Sequence, residues 1–332
     1  MQSNKSRLEL IEVETGTAVE DLAEAVRDGL AATRKTLPCR FFYDEEGSRI
    51  FEEICELPEY YPTRAEREIL ATNANEIAGL FASPTALVEL GSGSSVKTRL
   101  LIEAFLRRHG ALKYVPVDIS RSMLEESAHA LLDSYPGLEI LAIAAEYHHG
   151  LKKVGAKKFD RKLILWLGSS IGNFDPEGAA SFLERVRQST NDGDHLLVGI
   201  DLRKSRETLE RAYDDPRGVT ARFNKNLLAR INRELDADFD LEMFTHHSVW
   251  NDADGRIEMH LESTAEQVVE IGDLDMTVRF AEGETIHTEC SYKLSLEQIE
   301  NLGADAGYRL ERQWLDSRRR FSVNLFAPAC SS

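Results

Sequence analysis

Leu87-Val88-Glu89-Leu90-Gly91-Ser92-Gly93-Ser94 is an apolar run that closes in a glycine-rich turn. A short apolar run bounded by turn residues reads as a buried strand, and the helical spacing of Val96 to Leu106 adds a helix behind the turn. Glycine at 91 and 93 lets backbone approach a ligand where a side chain would collide. The next apolar run, Tyr114-Val115-Pro116-Val117, ends in Asp118, a carboxylate suited to accept both hydroxyls of a ribose. Strand, glycine loop, helix and a strand-terminal acid point to a nucleoside-bearing cofactor. A dinucleotide site places a third glycine where Val96 stands, so S-adenosylmethionine fits this loop better than a nicotinamide dinucleotide. The glycine loop alone is a weak signal, because an ordinary strand-to-helix turn has the same composition.

Outward from this stretch the alternation continues through Lys113 to Val117, Arg121 to Ser134, Leu138 to Ala144, Lys162 to Leu167 and His195 to Leu202. That order predicts an α/β fold, a Rossmann-like parallel sheet with helices on both faces. Tyr308 to Leu315 and Phe321 to Phe326 read as a terminal antiparallel strand pair completing it. Asp175-Pro176 reads as an N-cap followed by proline at the first helical position. Thr63 with Glu66, and Ser295 with Gln298, fit capping boxes, the first opening a helix that runs to about Phe81. Near the start, Leu22, Val26 and Leu30 share one face of a helix over Asp21 to Arg34, following Val19. After Leu202 the pattern changes to a helix over Thr220 to Leu235 and strands at Leu241 to Trp250, Ile257 to Ser263, Gln267 to Ile271 and Asp275 to Phe280. Asn251-Asp252-Ala253-Asp254-Gly255 is the hairpin turn between the first two strands. The expected division is a cofactor-binding domain of residues 62–202 and 293–330, and a second, α+β substrate-binding domain of residues 1–61 and 203–292.

The 332 residues are 42% hydrophobic and carry a net charge of -17. No run is long enough to span a bilayer, and phosphate-rich partners would meet repulsion, so neither membrane nor nucleic acid is an expected partner. The start, Met1 to Arg7, lacks the apolar stretch of a secretory signal, and the expectation is a soluble, cytoplasmic monomer. Cys39, Cys55, Cys290 and Cys330 show no CxxC spacing and read as reduced thiols. The pairs His148-His149 and His246-His247 suggest a metal, but neighbours on a strand point to opposite faces, so no metal site is expected.

Leu163 to Leu167, then Gly168-Ser169-Ser170-Ile171-Gly172-Asn173-Phe174, is a strand followed by a second glycine-containing loop. In open parallel sheets ligands bind beyond the carboxyl ends of the strands, which brings this loop to the same crevice as Gly91. Asn173 is there either to bond a substrate or to close its own turn. Glu146-Tyr147 follows the third strand, where a carboxylate and an aromatic ring suit an adenine.

Several of these motifs agree with one family. Phe42-Tyr43-Asp44, Pro58-Glu59-Tyr60-Tyr61-Pro62-Thr63-Arg64, Glu89-Leu90-Gly91-Ser92-Gly93, Gly168-Ser169-Ser170-Ile171-Gly172-Asn173 and Glu289-Cys290-Ser291 make the chain resemble the S-adenosylmethionine-dependent histidine-specific methyltransferases. The resemblance implies a class I methyltransferase sheet and trimethylation of the α-amino group of L-histidine to hercynine, in ergothioneine biosynthesis. It implies that Gly91, Lys97 and Asp118 hold the cofactor, with Glu146 and Tyr147 near its adenine, where the family more often has Asp-Phe. It also implies that Asn173 and Tyr213 hold the substrate carboxylate, that Gly168 and Tyr43 lie near the amine, and that Tyr60, Met259, Glu289 and Ser291 surround the imidazole.

The residues support that specificity on their own terms. Glu289 and Ser291 alternate along an extended segment, so both can meet an imidazole edge. Phenylalanine would leave the carboxylate unpaired and should be rejected, whereas tryptophan keeps one ring donor. Methylation of another aromatic amino acid such as tryptophan, or a non-catalytic cofactor-binding module, are the alternatives; a dehydrogenase is disfavoured by Val96.

Overall fold

The structure, a computed structural model, describes residues 7–13 and 18–329, and side chains there except those of residues 18–20. The sequence readings on residues 1–6, on Cys330 and on the Val19 side chain lie outside the described residues. In chain order the first elements are β1 (Leu8–Glu12), α1 (Ala18–Ala31), β2 (Lys35–Thr36), α2 (Glu45–Cys55) and α3 (Pro62–Gly79). Then come β3 (Ala86–Leu90), α4 (Arg99–His109), β4 (Leu112–Asp118), α5 (Arg121–Ser134), β5 (Leu138–Ala144), α6 (Tyr147–Gly155), β6 (Lys162–Trp166), α7 (Pro176–Gln188) and β7 (His195–Asp201). The rest are α8 (Arg206–Tyr213), α9 (Val219–Leu235), β8 (Phe244–Asn251), β9 (Arg256–Ser263), β10 (Gln267–Ile271), β11 (Met276–Phe280), β12 (Thr285–Tyr292), α10 (Leu296–Asp305), β13 (Tyr308–Leu315) and β14 (Phe321–Pro328).

The chain divides into two compact units, residues 1–14, 62–203 and 294–332, and residues 15–61 and 204–293. In the first, among the described residues, eight strands run in the order β1-β5-β4-β3-β6-β7-β14-β13. β1 and β3 to β7 pair in parallel, and β14 pairs antiparallel with β7 and β13. This is the class I methyltransferase architecture. From β3 the chain winds one way through β4 and β5, then returns past β3 to lay down β6 and β7, so the sheet changes direction at β3. Every residue of β3 and β6 is buried. Leu87, Leu163 and Leu165 enter the layer of α3, α4 and α5, while Val88, Leu90, Ile164 and Trp166 enter the layer of α7 and α10. Helices on both faces explain why these strands read as nearly continuous apolar runs, interrupted only by Glu89 and by Lys162 at the start of β6.

In the second unit, four strands run in the order β2-β12-β9-β8, and β10 pairs with β11 as a separate hairpin. Ile257, Met259 and Leu261 of β9 turn inward and join Phe223, Leu227 and Leu228 of α9 in one core.

The expected Asp175 cap forms, with its side chain accepting from the Gly178 amide at 2.7 Å, and Ser295 with Gln298 closes a full capping box. The Thr63–Glu66 capping box does not form. α3 already begins at Pro62, which supplies a pre-set φ, and Glu66 is drawn elsewhere. α4 starts at Arg99 rather than Val96, because Val96 to Thr98 continue the turn. β1, β2, α6 and α8 have no counterpart in the sequence reading. β1 is a five-residue edge strand, Leu8-Glu9-Leu10-Ile11-Glu12, too short for its alternation to register.

Candidate active site

In the first unit the segments singled out in the sequence leave the carboxyl ends of adjacent parallel strands. Gly91 and Gly93 follow β3 with φ of 69° and 47°, in the left-handed region that favours glycine. A β-carbon at Gly91 would lie 2.7 Å from the Tyr147 hydroxyl, so the loop needs glycine there to pack against α6. At Gly93 a β-carbon would meet nothing within 4 Å, and open space borders the loop. The Gly93 amide donates to one oxygen of Asp118 at 2.9 Å, and the Ser120 amide donates to the other at 2.9 Å. Each oxygen keeps a lone pair for a further donor. Burial pushes the Asp118 carboxyl above its ordinary range, and these backbone donors pull against that shift. The Ser92 hydroxyl is buried and has no hydrogen-bond partner among the described residues. An open-sided glycine loop, an orphaned hydroxyl and a strand-terminal carboxylate fit the ribose and amino-acid parts of S-adenosylmethionine.

Tyr147 packs its ring edge-on against Trp166 and Phe182, at 6.0 and 5.8 Å, and Glu146 immediately precedes the same helix, its side chain making no capping hydrogen bond. The sequence reading treated His148-His149 as strand neighbours. Both lie instead on α6, their rings 3.6 Å apart, with His148 3.6 Å from Glu146. His246 and His247 are on β8, one buried and one exposed, as strand alternation requires.

Two carboxylates absent from the sequence-based site hold these loops. Glu89 is buried beneath the glycine loop, where it accepts hydrogen bonds from the Thr98 and Tyr114 hydroxyls. Burial pushes it up to about 7. Glu66, fully buried, pairs with Lys97 and accepts from the Gly168 amide at 2.9 and 3.1 Å. Lys97, expected at the cofactor, is linked through Glu66 to the second loop as well. A β-carbon on Gly199, on the adjacent β7, would fall 1.9 Å from the Glu66 carboxylate. Gly168 and Ser169 have φ of 81° and 63°, and this consecutive left-handed pair turns the chain sharply after β6. Ser169 is fixed by the Asp201 amide, which donates to its hydroxyl at 2.9 Å. Asn173 ends the short 3-10 turn Ser170–Asn173, and no described residue hydrogen-bonds its side chain within that turn.

In the second unit the expected substrate residues gather around β12. Tyr60 stacks edge-on with Tyr213 at 6.1 Å and with Phe51 at 6.1 Å, while Tyr43 meets Phe51 and Phe223 at 5.6 and 5.7 Å. The backbone beside Tyr43 is anchored by Asp44, which caps α2 and accepts from Asn226 at 2.8 Å. Glu289 and Ser291 stand opposite Met259 and Ile257, which puts them on the inward face of the sheet. The Ser291 and Tyr213 hydroxyls are 2.8 Å apart, and the fully buried Lys293 donates to both at 2.8 Å. Lys293 was not anticipated, because nothing in its local pattern marks a lysine as buried. The Lys293 ammonium makes both oxygens acceptors, and either hydroxyl donates to the other. Glu289 is half-buried, accepts no hydrogen bond from a described residue, and is pushed up to about 7 by burial, with the Lys293 charge opposing. Burial also pushes the Tyr60 phenol well above its ordinary range.

Among the described residues no helix is long and apolar enough to cross a membrane. A family model described as histidine-specific methyltransferase, SAM-dependent, matches residues 22–328. The histidine N-alpha-methyltransferase of Mycobacterium tuberculosis (strain CDC 1551 / Oshkosh) is 44% identical over 306 residues, covering 92% of this chain and 94% of that protein. The protein of that name from Mycolicibacterium smegmatis is 43% identical over 309 residues, covering 93% and 95%. More distant is 4-dimethylallyltryptophan N-methyltransferase easF of Claviceps purpurea, 27% identical over 327 residues and covering 92% and 95%. With the family match running through both units and two relatives above 40% identity along nearly their whole length, the chain belongs to the S-adenosylmethionine-dependent histidine-specific methyltransferases.

Proposed function

We propose that this enzyme methylates the α-amino group of L-histidine three times, giving hercynine for ergothioneine biosynthesis. The observation that carries this reading is Glu289, a carboxylate on an inward sheet face with no hydrogen-bond donor among the described residues and a hydroxyl, Ser291, two residues on. An imidazole N–H supplies the missing donor, and the second ring nitrogen finds Ser291. Phenylalanine brings no donor, so its binding strands the charge, a loss of several kcal/mol for a buried ion. Met259 and Tyr60 supply the apolar and aromatic walls of that ring site.

S-adenosylmethionine supplies an electrophilic methyl on a sulfonium. Gly91, Lys97 and Asp118 are assigned to holding it, with Glu146 and Tyr147 at the adenine; Lys97 also pairs with Glu66, which accepts from the Gly168 amide. For the substrate, Tyr213 and Asn173 are assigned to the carboxylate. Tyr43 and the Gly168 carbonyl orient the amine. A free α-amino group has a pKa of about 8, so losing its proton at neutral pH costs about 1 to 2 kcal/mol, and no strong base is required. Orientation of the lone pair supplies most of the acceleration.

The test is a mass-spectrometric assay of purified enzyme with S-adenosylmethionine and each of the twenty amino acids. Mono-, di- and trimethylated histidine as the products support the reading. Methylated tryptophan or another amino acid in their place sinks the specificity assignment, and no product with any amino acid sinks the substrate class.

A further inference from the structure

The sheet that presents Glu289 has a second face, and the proposed function makes no use of it. On β9 the inward residues Ile257, Met259 and Leu261 alternate with Glu258, His260 and Glu262, which face the other way. On β12, His287 stands opposite His260 and Cys290 stands opposite Glu258. The register slips between His287 and Glu289, and that bulge brings residues 287 and 290, three apart, to the same face. Two adjoining cross-strand pairs therefore form a square of four donors.

Three of the four donors cluster, and Cys290 lies outside that cluster, next to His287. The His260 Nε2 lies 3.3 Å from the Glu258 Oε2, and the His287 Nε2 lies 3.3 Å from the Cys290 Sγ. The ring centroids of His260 and His287 are 5.0 Å apart, and one donor atom from each of Glu258, His260 and His287 lies within 4.8 Å of the others. Ligands at about 2.0 to 2.3 Å from one tetrahedral ion are about 3.3 to 3.7 Å apart, so modest side-chain adjustment closes the three-residue set, and a rotation of the Cys290 side chain from its place beside His287 adds the fourth ligand. Arg256 and Asn251 donate to the Oε1 of Glu258 at 2.7 and 2.9 Å, which leaves Oε2 turned towards the histidines. Outer partners of this kind commonly orient a ligating carboxylate. The other ring nitrogen of His260, Nδ1, is buried and has no partner among the described residues.

We propose that Glu258, His260, His287 and Cys290 form a binding site for a divalent cation of the zinc class. Two imidazoles, one thiolate and one carboxylate suit a borderline-soft ion and not calcium or magnesium, which require mostly oxygen ligands. Coordination uses donor lone pairs, the Cys290 thiol gives its proton to solvent, and no electron is transferred. The ion ties β9 to β12 across the bulge that directs Glu289 to the opposite face. The strand argument against paired histidines holds for residues 246 and 247, but ligands from two different strands escape it.

The experiment uses tag-free, chelator-stripped full-length protein. After dialysis against Zn2+, metal analysis is expected to find one equivalent per chain that depends on this square. Co2+ titration is expected to give a thiolate-to-metal absorption band in the near ultraviolet. Cys290→Ser should abolish that band and weaken Zn2+ retention at least tenfold, and His287→Gln should weaken retention similarly while His148→Ala leaves both readouts unchanged. Circular dichroism in metal-free buffer verifies that each variant is folded. Absence of retained Zn2+ and of the band in the unaltered protein overturns the proposal. So does binding that survives both Cys290→Ser and His287→Gln, or that disappears in His148→Ala.

Discussion

Glu89 and Glu289 occupy corresponding circumstances in the two units: each is a glutamate on a strand, and burial pushes each up to about 7. They differ in their partners. Glu89 accepts from Thr98 and Tyr114 and is closed off beneath the glycine loop. Glu289 faces inward beside Ser291 with no donor of its own among the described residues. A raised carboxyl pKa alone does not separate a structural carboxylate from a recognition carboxylate, but hydrogen-bond accounting does. The satisfied group maintains the loop's shape, whereas the unsatisfied one retains binding capacity for a ligand.

The strongest way to break this contrast is Glu289→Ala. Turnover is expected to fall roughly 100- to 1,000-fold in kcat/KM for histidine, with the melting temperature equal to or above that of the unaltered enzyme, since removing an unpaired buried acid relieves desolvation. A melting temperature lowered by many degrees would make Glu289 structural after all. Glu89→Ala should behave the other way. Stranding Thr98 and Tyr114 in the core is expected to cost about 2 to 4 kcal/mol in denaturant unfolding, and normal stability would remove its structural role. Between these lies Asp118→Asn, expected to weaken S-adenosylmethionine about tenfold by calorimetry, with histidine affinity unchanged; equal losses for both ligands would dissolve the assignment of Asp118 to the cofactor.

The smallest effects are in pH. If ionised Glu289 is the form that binds histidine, a carboxyl titrating near 7 is about one-tenth ionised at pH 6, so affinity should fall about tenfold from its alkaline plateau. Glu289→Gln should remove that component and leave only the substrate's own titration. Stability has the opposite sign. Both glutamates have folded pKa values near 7, above the ordinary 4.5, so their contribution is complete below about 4.5 and is lost as pH rises through 7. The melting temperature of the ligand-free enzyme should decline across that window, and less steeply in Glu289→Gln.

The glycine loop was legible in the sequence because a strand covered on both faces is buried throughout and nearly all apolar, as β3 is but for Glu89. Asp118 was legible because ligands meet such sheets at strand ends. Glu66 was misread for a physical reason: a threonine three residues before a glutamate has the same pattern whether the carboxylate turns back to cap its helix or reaches across to Gly168. Only the position of Pro62 separates the two outcomes. Tyr213 and Ser291 came from the resemblance, but the Lys293 that links them did not, since burial of a lone charge is decided by tertiary partners. α8, which carries Tyr213, is eight residues long and strongly polar, a length at which propensity gives little signal.

Gly199 sits inside β7, where a β-branched residue would ordinarily pack better. The volume its missing side chain leaves is taken by the carboxylate of Glu66, which reaches Gly168 through it. In evolutionary terms the two positions share one constraint: alanine at 199 would be accepted only after Glu66 had shortened or turned away, and that first step would already have released the loop. The vacancy in the strand and the acid that fills it therefore constrain each other: neither position can change alone without disturbing the Gly168 loop.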